Sequence, residues 1–353
     1  MVLPEVKVTM KRCRIVSLTL LAGMVLCVLV CASLWELYSQ SATSSVTPSP
    51  GLLELPYAHN LLPPLGPGYT LGAWSPDSTM LAVNYLVLGV HTKRISRIYL
   101  VDASSGTQRV LLETSRGTVL AMDWLPNGRI AYYAYDSYVG RSGIQLVNVG
   151  NEKNMERELI GNLPGTHSFL QHVRIATWSP DGNLMVFIHY DEAGKSDGIQ
   201  LVNGASGEEI IEGTRILPWL SWSPDGQKIA FSLFQDPETA NMYVMDITTK
   251  RMSRLTSRGY SYMPSWSPSG QLLSYVDGYA HQLMIVSSDG QCVFPILPGE
   301  EVTGALWSPD GHWIAFEWKG GIYLLDVETV LGKEFLDREY LCPTPTGPQT
   351  ETP

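Results

Sequence analysis

A five-residue phrase recurs six times and constrains this chain more than any other feature. It is Trp-Ser-Pro-Asp-Ser from Trp74, Trp-Leu-Pro-Asn-Gly from Trp124, Trp-Ser-Pro-Asp-Gly from Trp178, Trp222 and Trp307, and Trp-Ser-Pro-Ser-Gly from Trp266. Successive tryptophans lie 50, 54, 44, 44 and 41 residues apart. Each phrase has the chemistry of a strand reversal. Proline presets φ for the second turn position, Asp or Asn tolerates the bridge conformation after it, and Gly supplies the positive φ that returns the chain. A β-rich run follows every turn: Met80–Val83, Arg129–Tyr133, Leu184–Ile188, Lys228–Ser232, Leu272–Tyr275 and Trp313–Phe316. Further on comes a third segment, Ile98–Asp102, Ile144–Asn148, Ile199–Asn203, Met242–Asp246, Leu283–Ser287 and Ile322–Asp326, most of them ending in Asp or Asn. Fourth strands are fainter and are predicted at Gln108–Leu112, Met252–Thr256 and Cys292–Leu297.

A period near 40–50 residues with β-type segments is the signature of propeller blades. The expected fold is therefore all-β, a six-bladed β-propeller of four-stranded blades over residues 69–330. Trp74, Trp124, Trp178, Trp222, Trp266 and Trp307 are expected to be packing between blades. Ring closure removes exposed sheet edges. Either Leu52–Leu62 or Lys333–Leu341 completes the last blade; the N-terminal segment is slightly preferred, and the sequence does not decide between them.

The phrase, followed by Ile-Ala-Phe and an Ile-Tyr-Leu-Leu-Asp-like strand, resembles the WD-like repeat of TolB-like propellers, most closely at Trp222 and Trp307. The resemblance spans roughly residues 70–330. It implies an exported or periplasmic scaffold that binds a protein or ligand through loops on one face. TolB itself carries an α/β domain ahead of its propeller, where this sequence has an apolar segment and a linker.

Those N-terminal segments have their own logic. Residues 1–14 form a basic tail with Lys7, Lys11, Arg12 and Arg14, followed by an apolar run from Ile15 to Leu34. Twenty such residues in a helix span ~30 Å, the thickness of a bilayer core. Residues 15–38 are predicted to be a transmembrane anchor with a cytoplasmic N-terminus; the competing prediction is a signal sequence cut near Ser39–Ala42. Residues 39–68, rich in Ser, Thr, Pro and Gly, suit a linker, and residues 331–353 are a C-terminal extension. Beyond residue 40 the chain carries 20 basic and 32 acidic side chains, so its body repels phosphate backbones and nucleic acid is not an expected partner. Of five cysteines, Cys13, Cys27 and Cys31 belong to the anchor region; Cys292 and Cys342 remain, with a bridge and two separate thiols both open.

Catalysis finds little support in these residues. No Gly-x-Ser-x-Gly elbow occurs, and Asp77, Asp181, Asp225 and Asp310 fall at equivalent turns of different blades, too far apart to act together. No metal site or cofactor is predicted: His167 and His172 lack a third ligand nearby. Recognition is expected where the blades differ, because a rigid scaffold lets variable loops carry binding. Loops between second and third strands share one face with the links between blades. That face gathers Tyr135, Tyr138 and Arg141, then His167 and His172, then Tyr260, Tyr262, Tyr279 and His281, and finally Trp318. Aromatic residues and Arg dominate the energetic centres of interfaces. The expected function is noncatalytic binding of a protein, peptide or envelope component through this face. The alternative is a small-ligand or carbohydrate sensor, or a degenerate hydrolase, that uses the central channel.

Overall fold

The computed structural model describes residues 58–63, 69–87, 95–114, 117–136, 141–149, 158–160, 176–190, 196–203, 206–212, 215–257, 259–297 and 301–332. Among them, 24 strands form six four-stranded sheets, five with strands in sequential order. The innermost strands are Tyr69–Trp74, Gly117–Trp124, Ala176–Trp178, Ile216–Trp222, Ser261–Trp266 and Val302–Trp307, each ending on the repeated tryptophan. In the sixth sheet the order is different: Ala58–Leu62 pairs with Gly321–Asp326 as the outermost strand, so a strand from ahead of the first blade completes the last. The N-terminal segment therefore closes the ring. Its Leu61 and Leu62 are buried beside Trp74 and Leu81 of blade one and Ile322 and Leu324 of blade six, which secures the seam between the chain's two ends.

Second strands begin at the expected residues but run two to four further, and third strands begin one to three earlier than expected. The upper hairpins are thus longer ladders and shorter loops than the pattern implied. Met80–Val87 and Ile95–Asp102, for instance, pair in register from Met80↔Asp102 to Val87↔Ile95. The predicted membrane segment at 15–38 lies outside the described residues; among those described, no helix is long and apolar enough to cross a membrane.

Six separate hydrophobic clusters sit between neighbouring blades, one at each seam. Every repeated tryptophan faces the preceding blade in one of them. Trp74, Trp222, Trp266 and Trp307 are 6–7% exposed, and Trp124 and Trp178 are partly buried against their clusters. Hydrogen bonds add to the packing: the indole N–H of Trp74 donates to Leu306 O (3.3 Å) and that of Trp222 to Thr177 O (3.2 Å). The main-chain amides of Trp266 and Trp307 donate to the Oγ of Ser221 (3.3 Å) and Ser265 (3.0 Å), and that of Trp178 to Asp123 Oδ2 (3.3 Å). In each case the partner is the residue just before the previous blade's tryptophan.

The turns after the tryptophans line what we call the underside. Ser75, Ser179, Ser223 and Ser308 donate to Asp77, Asp181, Asp225 and Asp310 at 2.5–2.6 Å. Each Asp also accepts the main-chain N–H two residues on, from Thr79, Asn183, Gln227 or His312. These carboxylates are turn caps held in separate blades. Where blade one has Ser78 in place of Gly, its φ is 59°, and its Oγ accepts the Asp310 amide (3.0 Å), so a seam contact offsets the strain.

Candidate functional site

Because the blades run as simple antiparallel meanders, the opposite face, the upper rim, carries both the second-to-third-strand hairpins and the links that start each blade. There, at the junction of blades four and five, five aromatic rings and one guanidinium form a continuous ladder. Arg215, just ahead of blade four's inner strand, lies 4.7 Å from the centroid of the Phe234 ring. Phe234 meets Tyr260 edge-on at 5.8 Å, Tyr260 meets Tyr262 at 5.9 Å, and Tyr260 contacts Tyr279 at 6.3 Å. Tyr262 then meets Trp219 at 5.2 Å. Such tilted and edge-on pairs each contribute about 0.5–1.5 kcal/mol beyond area burial, so the ladder is preorganised.

Local sequence explains how these rings come together. In blade four the pairing moves from Ile216↔Leu233 to Leu220↔Phe231, an irregularity that brackets Trp219 inside an otherwise regular inner strand. Blade five's inner strand has the same kind of break between Tyr262 and Ser265, with Met263 at a φ of 55°. Tyr279 projects from the hairpin after Leu272–Asp277, where Asp277 accepts the amides of Tyr279 (3.0 Å) and Ala280 (3.2 Å). Its hydroxyl donates to Glu238 O in the neighbouring hairpin of blade four. Gly278 permits the approach: a Cβ there would sit 2.8 Å from Tyr260 Cδ1 and 3.0 Å from Tyr262 Cε1, while its amide donates to Tyr260 O at 2.7 Å.

Charge around the ladder is mostly negative. Asp236 accepts the Thr239 hydroxyl and the amides of Glu238 and Thr239, which together hold its carboxyl below the usual range. Burial pushes the Tyr262 hydroxyl upward, helped by Glu317, Tyr260 and Asp277; burial, then Tyr279, does the same at Tyr260. Both phenols therefore stay protonated through the physiological range and can donate hydrogen bonds. Glu317 joins this face to the ring's closure: its Oε1 accepts the Leu71 amide of blade one (2.6 Å) and its Oε2 the Thr303 hydroxyl (2.9 Å). Asn84, ten residues after its own tryptophan as Glu317 is, also reaches the next blade, there as a donor to Val119 O (3.1 Å).

Of the residues expected on this face, Tyr260, Tyr262 and Tyr279 come together and Tyr279 is 57% exposed. Trp318 does not join them. It is 3% exposed, edge-on to Tyr323 (5.0 Å) with Lys319 Nζ 4.3 Å from its ring centroid, and packed in the core between blades five and six. His281 takes a φ of 53° in the blade-five hairpin. Tyr135 and Arg141 lie on paired strands of blade two, whereas Tyr138, His167, His172 and Cys342 lie outside the described residues. Trp219, Phe234, Arg215 and Glu317 were not anticipated. Their only sequence signal is position, at strand ends facing the upper rim. Among the described residues no group of three or more His, Cys, Asp and Glu side chains is placed to hold a metal.

Comparison with known proteins sharpens this picture. The family description "TolB beta propeller domain" matches residues 170–321. Over that stretch the chain is similar to TolB β-propellers. The Tol-Pal system protein TolB of Alcanivorax borkumensis is 38% identical over 55 residues, 15% of this chain and 13% of that protein. The corresponding protein of Francisella tularensis subsp. mediasiatica is 27% identical over 146 residues, 36% of this chain and 33% of the relative. The matched stretch thus spans a third or less of these relatives. Among solved structures, the putative TolB from Agrobacterium tumefaciens superposes with a TM-score of 0.54 at 22% identity, covering 64% of this chain and 78% of that one. A gluconolactonase from Xanthomonas campestris gives 0.55 at 14% identity, covering 76% and 89%. A TolB-like propeller and an enzyme share the architecture, so fold alone assigns no activity.

Proposed function

We propose that this TolB-like propeller is a noncatalytic, membrane-tethered extracytoplasmic scaffold that binds a protein, peptide or envelope component through its upper rim. The observation that carries the proposal is the ladder at blades four and five: rigid aromatic rings, one of them widely exposed, beside Arg215 and an acidic border. That combination is the chemistry of an interface hot spot. Three further facts support it. The curated relatives are named as Tol-Pal system proteins. Cys292 is disulfide-bonded, a state that persists on the oxidising side of a membrane. The apolar run at 15–34 with its basic flank has the length and polarity of an anchor.

The channel reading requires acids and arginines converging on a ligand. Glu317, the acid that reaches blade one, already has both oxygens engaged by Leu71 and Thr303, which favours the rim. The test is crosslinking of the full chain in its own membrane. A specific adduct is expected from the native protein and is lost from the Tyr260→Ala, Tyr262→Ala double variant; an adduct that persists at full yield removes the ladder as the binding site.

A further inference from the structure

Three acids border the aromatic ladder, and none of them forms an ion pair among the described residues: Asp236 and Glu238 in the blade-four hairpin, and Asp277 at the end of Leu272–Asp277. Glu238 is exposed, and the other two are bonded to neutral donors. Asp236 accepts the Thr239 hydroxyl and two amides, and Asp277 Oδ1 accepts the amides of Tyr279 (3.0 Å) and Ala280 (3.2 Å). Such contacts hold the carboxyls in place and leave their charge uncompensated. Burial, then Glu317, Tyr260 and Asp277, raises the Tyr262 hydroxyl, so that ring senses two acids of the rim. One cation already meets the ladder: Arg215, 4.7 Å from the Phe234 centroid, at the end away from Trp219. No arginine or lysine among the described residues lies over Tyr260, Tyr262 or Tyr279.

We propose, on the footing that the upper rim is the binding face, that the ladder receives an arginine side chain from a basic segment of the partner protein, its guanidinium held against Tyr260, Tyr262 and Tyr279 within the acidic border. Ring faces carry negative partial charge and attract cations, Arg more often than Lys. Successive rings of the ladder meet at 41–67° rather than in a flat stack, which turns their faces in several directions around a visiting group. Gly278 keeps the space beside them free of a side chain, since a Cβ there would sit 2.8 Å from Tyr260 Cδ1 and 3.0 Å from Tyr262 Cε1.

A guanidinium suits these surroundings better than an ammonium. It is planar and more weakly hydrated, and it bonds a carboxylate through two N–H groups while stacked on a ring. The Arg215–Phe234 contact is an instance within the protein itself. Overall charge selects the same partner: with 20 basic and 32 acidic side chains beyond residue 40, the body draws a basic segment toward it and repels an acidic one.

The experiment titrates the full chain in detergent, at physiological salt, into a fluorescein-labelled peptide of alternating arginine and serine and reads anisotropy. A twin peptide carries citrulline at every arginine, which keeps the shape and removes the charge. The arginine peptide is expected to bind, and the citrulline peptide to bind at least roughly tenfold more weakly. Tyr279→Leu, at an exposed ring, is expected to weaken the arginine peptide about fivefold, and Glu238→Gln about twofold. Glu328→Gln, an exposed acid of the underside helix Val327–Leu331, is expected to change nothing. Equal binding of the two peptides, no binding of either, or a loss with Glu328→Gln as large as with Glu238→Gln overturns the arginine site. Should the partner adduct still depend on Tyr260 and Tyr262 in that event, the rim stands as the binding face without an arginine; an adduct that persists in the Tyr260→Ala, Tyr262→Ala variant removes both.

Discussion

The two faces of this ring are made by one chain and obey different rules. On the underside, four of the six blades repeat one device, in which Ser donates to Asp, Asp accepts the amide two residues on, and the tryptophan just before them packs against the previous blade; Asn127 and Ser269 accept the same amide in the other two. On the upper rim the aromatic side chains among the described residues differ from blade to blade. Blades four and five carry an aromatic ladder, blade one a Tyr69, Tyr85 and Tyr99 cluster with ring centroids 4.8–6.3 Å apart, and blade six a Lys319-capped Trp318. The tryptophan packing, present at all six seams, marks what closure demands of every blade, and the loss of repetition marks where individual residues are free to specialise.

Cutting a seam is expected to have the largest effect. Trp222→Ala removes a 7% exposed indole and its bond to Thr177 O, and is expected to cost about 3–5 kcal/mol in denaturant unfolding. A cost below about 1 kcal/mol would mean the repeated tryptophans do not hold the blades together. On the rim the large effect should appear in binding instead. Tyr260→Ala with Tyr262→Ala is expected to weaken partner binding about thirtyfold, roughly 2 kcal/mol, in a titration with the crosslinked partner once it is identified.

A subtler probe leaves all the rings in place and moves them. Gly278→Ala forces a Cβ against Tyr260 and Tyr262, and overpacking of this kind costs about 1–3 kcal/mol. Thermal unfolding together with partner binding should show both declining. Ser223→Ala tests the underside with one atom: the Lys228 amide loses its acceptor (2.8 Å), for about 1–2 kcal/mol by denaturant unfolding and no change in partner binding.

The smallest effect is electrostatic. Asp102, capped by the Ser104 hydroxyl and the amide and hydroxyl of Ser105, has its carboxyl lowered from 3.8 to about 2. A folded-state pKa below the unfolded one means that its contribution is complete above about pH 4 and is lost as pH falls toward 2. Asp102→Asn should remove that slope from an acid unfolding curve and lower the midpoint slightly at neutral pH, where the charged carboxyl's contribution is complete.

The same division governs what the sequence could reveal. Ring architecture was legible because turn chemistry is local: Pro, Asp and Gly act within five residues, and six copies give the same answer. Closure by Ala58–Leu62 was legible only as one of two candidates, since a lone outer strand carries no repeat. The ladder was half legible. Tyr260, Tyr262 and Tyr279 announce themselves as aromatic residues near rim loops, but Trp219 and Phe234 look like ordinary strand residues until a break in register and a seam bring them to Tyr262 and Tyr260. Glu317 is the extreme case, because its contact with Leu71 joins residues 246 positions apart through ring closure alone. Trp318 failed in the other direction, because aromatic identity cannot distinguish a ring offered to a partner from one packed in the core between two blades.

The most direct test of the division between faces is site-specific photocrosslinking of the full chain in its native membrane, with the probe placed at Tyr279 in one variant and at Asn183, in an underside turn, in another. A discrete protein adduct at Tyr279 and none at Asn183 is the result this account requires. The same adduct from Asn183, with Tyr279 silent, would contradict it.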